Sequence, residues 1–168
     1  MRTALLCVGL LLPVASLHSQ GTKANTPHAA HAAAMASVFM PDGIIWGPAP
    51  ASLPAGATAA VLEGNPAKGG AFTMRLHMPA GYKIPPHFHP VMEHVTVISG
   101  SLKFGMGDHF DESQMKAVPA GTFAAIPPGM HHFAMADGET VLQLHGIGPW
   151  RIVYLDKADD PRTSTAKR

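Results

Sequence analysis

Cysteine is almost absent from this chain of 168 residues, since Cys7 is the only one and lies in an apolar segment near the N-terminus. Beyond that segment there is no thiol, which excludes disulfides and cysteine-based catalysis there. Charged residues are also few, at 14%, and the formal net charge is +1. So small a charge provides no basic surface for nucleic acid or an anionic membrane, and neither is an expected partner.

No long stretch of the chain carries helical periodicity. Turn-forming residues are abundant instead, with 17 glycines and 16 prolines, as is typical of a fold made of many short strands. Histidine is in unusual excess, because its 11 copies equal the 11 Asp and Glu residues taken together. Neutral imidazole is the commonest metal ligand in proteins, so this composition suggests that the chain contains a metal site.

The N-terminus has the pattern of a secretory signal peptide, predicted over residues 1–20. Arg2 supplies the positive charge, residues 5–15 form the apolar region, and small residues follow. A membrane anchor or a buried helix is the alternative reading. The apolar run is too short to span a bilayer, which takes about 20 residues, and Pro13 interrupts it. We therefore expect an exported protein, periplasmic or secreted, with no membrane span once the signal is cleaved.

The rest of the chain divides into three predicted parts: an Ala-rich tether over 21–43, one folded domain over 44–156 and a polar C-terminal tail over 157–168. Within the domain, apolar and polar residues alternate, most clearly at 72–78 and 102–106. Turns that contain Pro or Gly recur about every ten residues. Many short strands with evenly spaced turns predict an all-β sandwich or barrel.

The segment from Gly81 to Gly100 places His87, His89 and Glu93 at odd-numbered positions. Side chains alternate along an extended strand, so these three are predicted to project from one face. Three valines share that face, which predicts burial of the carboxylate. A buried, unpaired carboxylate is very costly, and pairing with a metal avoids this cost. Two imidazoles and one carboxylate are also the ligand set of open, catalytically useful metal sites.

A second segment, beginning at Gly121, offers a fourth ligand. Its Pro-Pro-Gly turn at 127–129 is predicted to end a strand and to aim the following histidine back into the barrel. His131 and His132 both follow the turn. Adjacent residues of a strand face opposite ways, so at most one of this pair is expected at the metal.

In order and in internal spacing, these two segments resemble the two motifs of the cupin superfamily. The resemblance implies a double-stranded β-helix, or jelly-roll, barrel, and one divalent metal ion bound by His87, His89, Glu93 and His132. One departure is Ala136, where the second motif often has Asn. At a finer level the chain resembles exported bacterial single-domain cupins, in the stretches FTMRLHMPAGYKIPPHFHP, FGMGDHFD and LHGIGPWRIVYLDKADDPR.

The leading functional hypothesis is a metal-dependent enzyme with oxygenase-like or related chemistry on a small organic molecule. Glu93 is the candidate catalytic residue, shared between ligand and base roles. His77, Gln143 and His145 are candidates for contacts to the ligands or for acid–base work. The alternative is a barrel that binds a small molecule or a metal without turnover. An open, polar cavity beside the ligands favours catalysis, and a narrow, apolar one favours binding.

Export bears on the metal as well. Arg2 stands alone, so the chain lacks the twin-arginine signal for export of a folded, metal-loaded protein. The barrel is expected to fold outside the cytoplasm and to take manganese, iron, zinc or copper there, a choice that the sequence leaves open. The expected partners are a small-molecule ligand or substrate and a second copy of the chain, as a homodimer paired through an outer sheet face.

The signal-peptide prediction is tested on protein expressed with its native N-terminus. We expect the mature protein in the exported fraction to begin between Ser19 and Ala24, since the small residues that suit cleavage lie there. Intact-mass measurement and N-terminal sequencing check this. Recovery of the uncleaved chain from the cytoplasmic fraction would contradict it.

Overall fold

The computed structural model describes residues 36–164. The predicted signal peptide, residues 21–35 of the predicted tether and residues 165–168 of the predicted tail therefore lie outside the described part. Among the described residues, no helix has the length and apolar character needed to cross a membrane.

Eleven β-strands make up almost all of the regular structure. They are β1 Gly47–Pro48, β2 Thr58–Gly64, β3 Gly70–Met78, β4 Lys83–Phe88, β5 Glu93–Ser99, β6 Ser101–Met106, β7 Lys116–Pro119, β8 Phe123–Ile126, β9 His132–Ala136, β10 Thr140–Gly148 and β11 Val153–Tyr154. Three short 3₁₀ turns and one helical turn, α1 Pro161–Ser164, complete the elements. The strands begin and end inside the predicted domain of 44–156, whose boundaries themselves stay a prediction.

The strands form two antiparallel sheets. One has six strands in the order β1-β2-β3-β10-β5-β8, and the other has five in the order β11-β4-β9-β6-β7. Strand β3 shows the alternation that the sequence predicts, since Phe72, Met74, Leu76 and Met78 are buried while the residues between them are partly exposed. The inner faces of both sheets contribute to one apolar core. The predicted all-β jelly-roll fold is confirmed.

The chain passes from one sheet to the other inside the first motif. Strand β4 belongs to the five-stranded sheet and β5 to the six-stranded sheet, with residues 89–92 between them outside any strand. Pro90 lies in this connection, and a proline cannot donate to a strand ladder. His87, His89 and Glu93 are therefore not on one continuous strand, as the alternation argument had placed them, but lie on both sides of a crossing between sheets.

Glycines permit the turns that bound this motif. Gly81 and Gly100 have φ values of 74° and 76°, in the left-handed region that side chains disfavour. At Gly100 a Cβ would also collide with the Glu139 carbonyl oxygen. The spacing of the motif is thus set at both ends by backbone conformation.

Gly105 provides a test of packing on the outer face of the five-stranded sheet, since its neighbour Phe104 lines the interior cavity and Phe133 packs against Phe110. Gly105 lies opposite Phe133 in the β6–β9 pair, and a Cβ at this position would overlap the Phe133 ring, which is fully buried. Gly105→Ala is expected to destabilise the fold by about 1–3 kcal/mol through overpacking. Urea unfolding measures the change. Gly138→Ala is the matched control, because a Cβ there meets nothing within 4 Å; equal losses in the two variants would contradict the expectation.

Candidate metal centre

His87, His89, Glu93 and His132, here called the cluster, are brought together by three elements. His87 lies near the end of β4 and His89 follows that strand, while Glu93 begins β5 and His132 begins β9. His87 and His132 are register partners in the β4–β9 pair. All four residues are buried, with exposed fractions between 2% and 4%. The structure thus places every predicted ligand in one interior group.

Each of the three histidines is held by its Nδ1 atom on a backbone carbonyl oxygen: His87 on Pro85 at 2.7 Å, His89 on Arg151 at 2.9 Å and His132 on Met130 at 2.9 Å. A carbonyl oxygen only accepts, so each Nδ1 carries the proton and donates it. In the neutral ring, Nε2 then keeps a free lone pair. Proteins commonly orient a histidine ligand toward a metal by such a hydrogen bond from the ring nitrogen that does not bind the metal.

The free nitrogens and one carboxylate oxygen converge. Metal-ligating atoms of His87, His89 and His132 lie within 4.8 Å of one another, a group that could hold a metal ion. Glu93 Oε2 lies 3.3 Å from His89 Nε2 and 3.7 Å from His132 Nε2. His89 Nε2 is buried and has no hydrogen-bond partner despite that proximity. A buried ring nitrogen without a partner is what a metal ligand looks like before its ion is added, so the donor set fits a divalent ion.

The electrostatics favour neutral imidazoles. Burial lowers the pKa of His87 well below its usual value, and the neighbouring His132 and His89 lower it further. Burial likewise lowers the pKa of His89, to about 4, and that of His132. Burial raises the pKa of Glu93 to about 7, against a hydrogen bond from Trp150 that lowers it. These shifts share one main cause: burial disfavours the charged form of each group, which keeps the imidazoles unprotonated and makes the carboxyl group harder to ionise.

Trp150 belongs to this centre, although the sequence interpretation assigned it to the core or to an oligomer contact. Its indole Nε1 donates to Glu93 Oε1 at 3.0 Å, and its ring stacks on His89 with centroids 4.9 Å apart and planes 21° from parallel. The available signal was that a buried indole N–H needs an acceptor. No sequence pattern named Glu93 as that acceptor, because 57 residues separate the two.

A small cavity opens from the cluster into the barrel. Its volume is about 70 Å³, well below the roughly 300–1,000 Å³ of pockets for drug-sized ligands. Apart from the cluster and Trp150, Thr122 is the one polar residue among the described residues that line it. The remaining walls are aliphatic or aromatic side chains and alanines. The cavity therefore suits a small and mainly apolar molecule.

The cavity reaches solvent at one side. Four lining residues are partly exposed, while the rest are buried: Phe104, Val118, Thr122 and Ala124. They lie on β6, β7, the β7–β8 connection and β8. Strands β7 and β8 are edge strands of the two sheets, so the opening lies where the sheets are not joined by a hydrogen-bonded ladder.

The other three candidates do not line this cavity. His77 pairs with Glu139 at 3.0 Å, and Gln143 accepts from Arg75 at 3.2 Å. His145 stacks on His94 with centroids 4.9 Å apart. All three alternate along β3 and β10 with core residues that do line the cavity. Their side chains consequently occupy the outer face of the six-stranded sheet.

The choice between the two adjacent histidines of the second motif follows from strand alternation. His132 is 3% exposed and lies in the cluster. His131 is partly exposed, and its Nδ1 lies 2.7 Å from an Asp108 carboxylate oxygen. The sequence argument that at most one of them faces the interior agrees with this arrangement.

Comparison with known proteins places the chain in a family. The family model of the ChrR cupin-like domain matches residues 37–151. Germin-like protein 5-1 of Oryza sativa subsp. japonica is 30% identical over 79 residues, which are 45% of this chain and 34% of the rice protein. The match thus spans about a third of that relative's length.

Solved structures share the fold at low identity. The polyketide cyclase RemF from Streptomyces resistomycificus has a TM-score of 0.58 at 19% identity, over 79% of this chain and 94% of that chain. An acetylacetone dioxygenase from Acinetobacter johnsonii has a TM-score of 0.56 at 17% identity, over 76% and 82%. Identities this low show the fold alone. With the profile match over more than half of its length, the chain belongs to the ChrR cupin-like family of the cupin superfamily.

Proposed function

We propose that the protein is a metal-dependent enzyme that holds one divalent ion in the cluster and acts on a small, mainly apolar organic molecule. The observation that carries the proposal is the set of three imidazoles whose Nδ1 atoms are fixed on backbone carbonyls, beside a buried carboxylate. These four groups come from three elements of the fold and still converge in the interior, which calls for a physical explanation. Binding of one cation supplies it.

The cluster leaves room for chemistry. His87, His89, Glu93 and His132 would hold the ion, and four such ligands would not complete the coordination of manganese or iron. A bound ion of this kind supplies Lewis-acid polarisation of a substrate oxygen and, where it is redox-active, reaction with dioxygen. The apolar walls exclude water from the reacting molecule. We propose oxygenase-like chemistry first because of this donor set, although the narrow, mainly apolar cavity taken alone favours binding without turnover.

Glu93 is the proposed acid–base residue in addition to its ligand role. Among the described residues that line the cavity, it is the only carboxylate. Its two oxygens are engaged, one with Trp150 and one near the histidines. As a base, Glu93 would use Oε2, because Oε1 accepts the hydrogen bond from Trp150. The relatives do not choose the reaction, since one fold serves a cyclase and a dioxygenase.

A second candidate function is a barrel that binds a small molecule or a metal without turning it over. The size of the cavity, about 70 Å³, and its mainly apolar walls favour this reading. Export and homodimer formation stay predictions beside either function, because they rest on residues outside the described part or on a second copy of the chain.

Metal binding is tested first, on metal-free protein incubated separately with Mn²⁺, Fe²⁺, Zn²⁺ and Cu²⁺. We expect about one equivalent of at least one metal to be bound, measured by elemental analysis after gel filtration. A metal at about 100 times its Kd should also stabilise the fold by about 2.7 kcal/mol. His132→Ala is expected to lose most of that stabilisation, because it removes one ligand.

His131→Ala is the matched control, since its ring lies outside the cluster. It should keep both the stoichiometry and the metal-induced rise in Tm. Comparison of the metal-free Tm values separates loss of binding from loss of folding. A wild-type protein that binds none of the four metals would refute the proposal.

The cavity is tested by closing its opening. Ala124 lines the cavity and is partly exposed, whereas its neighbour Ala125 is exposed and does not line it. Ala124→Leu should keep metal binding and lose access for a small β-diketone, with acetylacetone as the probe. Ala125→Leu should keep both. Oxygen uptake measures turnover, and the change in the electron paramagnetic resonance of bound Cu²⁺ measures probe binding.

Three results are informative here. Oxygen uptake that Ala124→Leu abolishes and Ala125→Leu retains supports the enzyme. A spectral change on adding acetylacetone without oxygen uptake favours the binding barrel for this probe. Equal behaviour of the two leucine variants would show that the opening is not where the partly exposed lining residues place it.

A further inference from the structure

We propose that Trp150 is a positioning residue for the metal centre, and that it acts by holding Glu93 so that a single carboxylate oxygen faces the three histidines. This inference rests on the proposed metal site and concerns a residue outside the ligand set. It assigns the indole N–H a role beyond the hydrogen bond that any buried tryptophan needs, because its acceptor is a member of the cluster.

The two carboxylate oxygens of Glu93 have different partners. Oε1 accepts the hydrogen bond from Trp150 Nε1 at 3.0 Å. Oε2 lies toward His89 and His132, at 3.3 Å and 3.7 Å from their Nε2 atoms. Glu93 is 4% exposed, so bulk water does not compete for hydrogen bonds to either carboxylate oxygen. The indole thus selects which oxygen faces the histidines and restrains rotation of the carboxylate.

Trp150 is itself held on both sides. Its backbone N–H donates to the Pro66 carbonyl at 2.7 Å, and its ring lies against the His89 imidazole. The next residue, Arg151, provides the carbonyl oxygen that accepts from His89 Nδ1. Two consecutive residues after β10 therefore orient two members of the cluster. A core-filling tryptophan would also need an acceptor for its N–H, but that acceptor would not have to be a member of the cluster, and the next residue would not have to hold a second member.

The test compares Trp150→Phe with the wild type after loading with Cu²⁺ or Co²⁺. Phenylalanine keeps an aromatic ring beside His89 and removes the donor to Glu93. Loss of an outer hydrogen-bond partner of a ligand typically weakens metal affinity by about 10- to 100-fold, and we expect a loss in this range. Competition with a chromophoric chelator measures it. We also expect altered Cu²⁺ hyperfine parameters or Co²⁺ absorption, because both oxygens of Glu93 become free to turn toward the ion.

Tyr154→Phe is the matched control. Tyr154 is a buried aromatic residue whose ring lies 6.0 Å from that of His87. Its hydroxyl donates to the Ser52 carbonyl at 2.8 Å, not to the cluster. Like Trp150→Phe, this variant removes one hydrogen bond made by a buried aromatic side chain that lies beside a histidine of the cluster. Its metal affinity and spectra should match the wild type, which separates positioning of Glu93 from general loosening.

A double-mutant cycle with Glu93→Ala shows whether Trp150 acts through Glu93. In the Glu93→Ala background, Trp150→Phe should cause little further loss of affinity. A loss as large as in the wild-type background would overturn the proposal in favour of packing on His89. A folded Trp150→Phe protein with unchanged affinity and spectra would also overturn it while leaving the proposed function intact. Absence of metal binding by the wild type would instead refute the proposed function and this inference together.

A measurement on metal-free protein covers the case in which Trp150→Phe does not fold. The chain has two tryptophans, so their two indole N–H signals can be told apart in a ¹⁵N-labelled sample. Glu93→Gln should move one of them, because an amide oxygen accepts more weakly than a carboxylate. Two unmoved signals would overturn the proposal.

Discussion

Burial of the Glu93 carboxyl group among three imidazoles is the constraint on which the rest of the structure depends. In the interior an ionised carboxylate needs hydrogen bonds and positive charge. Trp150 provides one hydrogen bond, but the neighbouring rings are neutral, since burial lowers their pKa values. The three histidines could therefore hold a metal ion beside this carboxyl group. Their Nδ1 atoms are fixed on backbone carbonyls, which leaves the Nε2 lone pairs free.

The fold meets this constraint by crossing between sheets at the site. The chain leaves β4 after His87, passes His89 and Pro90, and enters the opposite sheet at Glu93. Strand β9 then brings His132 against His87 as its register partner. Members of the cluster from both sheets thus meet within the barrel, where surrounding strands limit their movement. A site on a single strand would lack support from the second sheet.

The same barrel restricts the chemistry. The strands leave a cavity of about 70 Å³ beside the cluster, and Thr122 is its one polar lining residue outside the cluster and Trp150 within the described part of the chain. A small molecule that enters this cavity would meet mainly apolar side chains. The opening between edge strands β7 and β8 is the part of the wall that strand pairing does not close.

The sequence by itself determined the all-β class and most of the strands, because alternation is a local property. For the membership of the cluster the sequence relied on its resemblance to the cupin motifs, which implied His132 rather than His131. It placed three ligands on one strand, since alternation does not reveal a crossing between sheets at Pro90. It also offered His77, Gln143 and His145 as pocket residues on residue type alone, although the alternation over 72–78 puts His77 on the face opposite the buried Leu76 and Met78. Only the tertiary structure brought Trp150 to Glu93 and set the cavity volume, since both depend on packing between residues far apart in the chain.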